Sequence, residues 1–151
     1  MADSVKIEVE GLRQFRAGLK QFAPEVAKSL AKSYTAIAEL VKTQATSKAM
    51  GEGGVEAHAV KNGALSAVAS VTGVAIRLDA SKSPAAFGAE FGGGRFRAGS
   101  PTAQGGYTSQ FKPHKGRTGY FLYPTIRDMQ EPIETMFMDA VEHAAREAFP
   151  D

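Results

Sequence analysis

Between Pro24 and Met50, the apolar residues Val26, Leu30, Tyr34, Ile37, Val41 and Ala45 recur at spacings of three and four. That period puts them on one face of a helix. The intervening residues are mostly Ala, Lys, Glu and Leu, which are good helix formers. Pro24 suits a first helical turn, and Gly51, Gly53 and Gly54 form a stop signal. At 1.5 Å per residue the helix is roughly 40 Å long. That exceeds what the core of a 151-residue chain needs. Its far end is therefore expected to project or to pack on a neighbouring copy, with the other elements arranged around the rest.

Upstream, Val5, Ile7 and Val9 alternate with Lys6, Glu8 and Glu10, the period of a half-buried strand. After Gly11, Leu12, Phe15, Leu19 and Phe22 return to a helical spacing and predict a short helix ended at Pro24. Downstream, residues 55–63 read as a loop or a weak strand. Leu65 to Val71 is rich in small residues and ambiguous between strand and other structure, and Val74, Ile76 and Leu78 alternate as a strand. Thr72-Gly73 between them makes a hairpin turn. Pro84 to Gly92 reads as a short helical turn or an irregular packed segment. Tyr120-Phe121-Leu122-Tyr123 reads as one more strand closed by Pro124, and residues 131–149 as a last helix with Pro132 in its first turn. Helices and antiparallel strands are segregated along the chain, so the expected fold class is α+β, two layers in a single domain spanning 1–151.

From Gly92 to Gly119 the periodicity disappears. The stretch holds eight glycines and two prolines. Connections usually run about 4–6 residues, and one this long is functional or disordered. It also divides the charge. Residues 92–127 carry a net +6 and residues 128–151 a net −6, although the whole chain is only +2. So small a total does not by itself point to nucleic acid. Within the loop, Arg95, Arg97, Lys112, Lys115 and Arg117 are interleaved with Phe96, Tyr107 and Phe111. Basic and aromatic groups together can follow a phosphate backbone and stack bases. They also dominate protein–protein contacts. A third reading is a loop kept in solution by its charge.

Chemistry is sparse. There is no cysteine, which removes disulfides, thiolate metal sites and a thiol nucleophile. No phosphate-binding glycine loop and no G-x-S-x-G elbow occurs. His58, His114 and His143 lie in unrelated segments without zinc-ligand spacing. Asp139, His143 and Glu147 share a helix face, which reads as a solvated face rather than a metal site. The start, Met1-Ala2-Asp3-Ser4, lacks the regions of a signal peptide, and no apolar run approaches the roughly 18 residues of a membrane helix.

Four segments, in order, resemble one family. They are Val9-Glu10-Gly11-Leu12-Arg13-Gln14-Phe15 with Leu19; Lys61-Asn62-Gly63-Ala64-Leu65-Ser66-Ala67-Val68; Pro84-Ala85-Ala86-Phe87-Gly88-Ala89-Glu90-Phe91-Gly92; and Gly119-Tyr120-Phe121-Leu122-Tyr123-Pro124. Together they are similar to the tail-completion (head–tail joining, or neck) proteins of long-tailed bacteriophages, over nearly the whole chain. The loop 92–119 is longer than is usual there. The resemblance implies a small antiparallel sheet packed against a long helix and a C-terminal helix. It implies a virion protein with no enzymatic activity and no cofactor or metal. Such a protein is assembled in the host cytoplasm into a homo-oligomeric ring, often sixfold. Its implied partners are the head-closure protein and the tail tube or tail terminator, with a passing contact to DNA in the channel and none to a membrane. A tail terminator ring protein and a nucleic-acid-binding module using loop 92–119 are the alternatives.

Two expectations follow. Val5, Ile7, Leu30, Ile37, Val41, Ile76, Leu78, Phe121, Ile133, Phe137 and Val141 should form one core. In a ring, unlike patches meet, so Arg95, Arg97, Lys112, Lys115 and Arg117 of one copy are expected to face Glu134, Asp139, Glu142 and Glu147 of the next. Residues 93–118 are expected to order only in that assembly.

Overall fold

In the computed structural model, residues 2–69, 73–92, 111–112 and 118–150 are described. The chain forms β1 (Ala2–Glu8), α1 (Leu12–Phe22), α2 (Pro24–Glu52), α3 (Gly54–Lys61), β2 (Leu65–Ala69), β3 (Gly73–Asp79), α4 (Ala86–Phe91), α5 (Leu122–Asp128) and α6 (Gln130–Ala148). The fold is α+β, a three-stranded antiparallel sheet in the order β1-β3-β2 packed against helices. Register follows the alternation. Val5, Ile76 and Ala67 stand in one row, and Ile7, Val74 and Ala69 in the next. Val74, Ile76 and Leu78 of the central strand are buried. The row through Ser4, Arg77 and Ser66 belongs to the opposite face, as a period of two requires.

Helix α2 is the spine. Leu30, Tyr34, Ile37, Val41 and Ala45 of its stripe are buried, joined by Ala38 and Ala49. Pro24 is its first residue, where no N–H is needed. Helix α6 packs alongside, with the rings of Tyr34 and Phe137 at 5.1 Å between centroids. The Tyr34 hydroxyl is buried without a hydrogen bond, and burial pushes it up to about 12, against the pull of Arg16. Ile133, Phe137 and Ala144 of α6 are buried as well. Of the expected core, Val5, Ile7 and Val141 are half-buried against it and the other eight are buried.

Two local expectations are corrected. Residues 54–61 are helix α3, not a loop or weak strand. Positive φ at Gly53 and Gly54 breaks the chain's direction after α2 and restarts it. The new helix then buries Glu56, Ala57 and Ala59, residues whose small or polar character hides a helical stripe. Tyr120 to Tyr123 is not a strand. Phe121 precedes α5, and Pro124 is the third residue of that helix, where a missing N–H costs no intrahelical bond. Aromatic and β-rich composition pointed to a strand, but tertiary contacts decide otherwise. Pro132 likewise is the third residue of α6.

Candidate functional site

Helix α4 is six residues long, and three of them organise the termini of the basic stretch. The first is Gly88. The Gly92 N–H donates to the Gly88 carbonyl at 2.9 Å, and the Phe111 ring lies so close to Gly88 that a Cβ there would overlap it. The chain thus departs from Gly92 and is back at Phe111 within one turn of α4. Gly92 and Phe111, the described residues on either side of 93–110, therefore lie close together on the scaffold.

The second is Glu90. It is fully buried and its carboxylate accepts four backbone hydrogen bonds. Tyr120 donates to Oε1 at 3.0 Å and Tyr123 to Oε1 at 3.2 Å, while Leu122 donates to Oε2 at 2.6 Å and Phe121 to Oε2 at 3.4 Å. The Tyr120 N–H also reaches the Glu90 backbone carbonyl at 2.8 Å. The N–H groups of Phe121, Leu122 and Tyr123 are the orphan donors at the start of α5, and Tyr120 lies just before it. A side chain some thirty residues away therefore supplies the cap that no local Ser, Thr, Asp or Asn provides. Burial pushes the Glu90 carboxyl above the usual carboxylate range, and the four N–H donors pull it the other way. Gly119 sits at φ +72°, and a Cβ there would fall on Glu90 Oε1. The third is Phe91, whose ring packs on Tyr123 at 5.7 Å and on Phe87 at 6.3 Å.

A further cluster holds the returning chain. Lys112 pairs with Glu52 at the end of α2, and with Glu56 of α3 at 3.6 Å. Its ammonium stands 5.3 Å from the centre of the Tyr120 ring. Glu52 is the first cause, and Glu56 a smaller one, by which the Lys112 ammonium is held above its ordinary value.

The expected interface residues fare unequally. Arg95, Arg97, Lys115 and Arg117 lie outside the described residues, as does most of the segment expected to order on assembly. Lys112 is paired within its own chain, with acids of α2 and α3 and not with the acidic set on α6. Glu134, Asp139, Glu142 and Glu147 are all exposed on α6. Glu142 pairs with Arg146 at 3.4 Å, and Glu147 with His143 at 3.6 Å. Glu134 lines a shallow crevice with Lys6, Ile7, Glu8, Arg127 and Ile133. Asp139 does not join His143 and Glu147 in a metal site, and no cluster of metal-ligating residues occurs among the described residues. No helix among them is long and apolar enough to cross a membrane.

Glu52 and Glu56 carried no sequence signal, because carboxylates four apart across a Gly-Gly break read as solvated. Glu90 stood inside a motif, but its role as a cap depends on which backbone it faces. Comparison with known protein families, curated proteins and solved structures finds no match.

Proposed function

We propose that this chain is a structural subunit of a bacteriophage neck, forming a ring that joins the head-closure complex to the tail tube, with no catalytic role. One observation carries the reading. The segments Glu90-Phe91-Gly92 and Gly119 to Pro124, which the resemblance singles out far apart in sequence, are bonded through the Glu90 carboxylate. In this reading the pair is the fixed base from which the intervening basic segment is offered to a neighbour. The unlike charge of that segment and of α6 suits the heterologous contacts of a closed ring.

The test is to locate the chain in assembled particles by labelled electron microscopy, with light scattering on the purified protein. Label at the junction of head and tail supports the reading. Label elsewhere, or no label on particles, refutes it. Filter binding to DNA across a salt series separates the nucleic-acid reading, since released counterions give a steep loss of affinity with salt.

A further inference from the structure

Glu56 is an unusual group to bury. Its side chain is 2% exposed, and its Oε1 makes no hydrogen bond. A carboxylate in that position is costly unless a positive charge compensates it. The charge that faces Oε1 is the Lys112 ammonium at 3.6 Å. That ammonium also bonds the Glu52 carboxylate and lies 5.3 Å from the centre of the buried Tyr120 ring. Three groups from three places in the fold converge on one nitrogen: the last residue of α2, the third residue of α3, and the residue that follows Gly119. One carboxylate accepts an N–H bond, a second faces the ammonium as an ion pair at 3.6 Å, and an aromatic face stabilises the remaining charge, which is the chemistry that recognises an alkylammonium ion.

We propose that Glu52, Glu56 and Tyr120 form a binding site for a primary alkylammonium group, and that Lys112 is its tethered occupant. The site exists independently of the tether. It is built by helices α2 and α3 and by the Glu90-capped start of α5, none of which Lys112 creates. Its role is to hold the basic stretch on the scaffold at Lys112, one residue after Phe111 has seated on Gly88. The proposal does not rest on the neck reading, and its failure would leave that reading where it stands.

The test is chemical rescue. In Lys112→Ala the atoms removed correspond to n-propylammonium. The variant should melt lower than the parent by about 4 °C or more. Added n-propylammonium should raise its Tm along a saturating curve while leaving the parent nearly unchanged. Sodium chloride and tetramethylammonium at equal ionic strength, which carry no N–H donors, should not. Adding Glu52→Ala to the variant should abolish most of the rescue. A Tm equal to the parent's, a rise shared by all three salts, or rescue that survives Glu52→Ala would overturn the proposal. Should Lys112→Ala not fold, carbon-13 NMR of the parent decides. The Lys112 Cε resonance should titrate above those of the other lysines, and titration together with them would sink the idea.

Discussion

The Glu90 carboxylate accepts the Leu122 backbone N–H at 2.6 Å, tying a six-residue helix to the first turn of another across the whole basic stretch. With three neighbouring N–H groups on the same carboxylate, this contact holds the two halves of the platform together. Replacing Glu90 with Ala leaves buried donors without acceptors and should lower stability by roughly 3–5 kcal/mol. Glu90→Gln keeps the shape but turns an NH2 toward the donors, and should cost about 1–3 kcal/mol. Urea unfolding of both variants checks the order. If Glu90→Gln proved as damaging as Glu90→Ala, shape rather than acceptor count would be at fault, and the capping account would fail.

Two glycines should resist substitution for different reasons. At Gly119 a side chain is strained by φ +72° and would also strike Glu90 Oε1. The left-handed conformation alone costs about 1–2 kcal/mol. At Gly88 φ is ordinary, and Ala would instead push the Phe111 ring away. Gly119→Ala should therefore lower Tm, whereas Gly88→Ala should chiefly expose Phe111. Quicker proteolysis after Lys112, with a smaller change in Tm, would show the second effect. Equal behaviour of the two variants would contradict the separation.

Phe121 is fully buried although it lies at a helix start and not in a strand. Truncation to Ala should cost roughly 3–5 kcal/mol, a large share of the 5–15 kcal/mol typical of a domain. A melting curve like the parent's would contradict its place in the core.

Asp79, the last residue of β3, accepts the Ser81 hydroxyl at 2.6 Å and the Ser81 backbone N–H at 2.8 Å. These bonds hold its carboxyl below its ordinary value of 3.8. A depressed folded-state pKa means that the stabilisation is present above the unfolded value and is lost as pH falls through the folded one. The difference in Tm between the parent and Asp79→Ala should be constant near neutrality and shrink in acid below the ordinary carboxylate range. A difference that grows on acidification would reverse the assignment.

A charge swap tests the contact between copies that the neck reading implies. Arg95→Glu with Arg97→Glu should block assembly into particles and leave the monomer folded. Glu142→Arg with Glu147→Arg should do the same, since both acids are exposed. The combined variant should regain part of the assembly. Each exposed pair contributes only about 0–1 kcal/mol, so the effect lies more in steering than in affinity. Normal assembly of either reversal at low salt would remove the basic segment from the ring contact.

Residues whose neighbours in sequence determine their environment were legible in advance. The stripe from Val26 to Ala45, the alternation in β1 and β3, and the helix behind Pro132 all follow from periodicity, because burial on one face repeats with the local geometry. Three features were decided only by the tertiary structure. Tyr120 to Tyr123 became the start of a helix because Glu90 supplies acceptors that no adjacent side chain offers. Residues 54–61 became a helix because packing buries Ala57 and Ala59, whose small side chains leave little trace in a hydrophobic pattern. The grouping of Glu52, Glu56 and Lys112 needs a helix break, a second helix and a returning chain to meet at one nitrogen. Local sequence sets the period of burial, but a cap or an ion pair between residues thirty or sixty apart exists only once the chain has closed on itself.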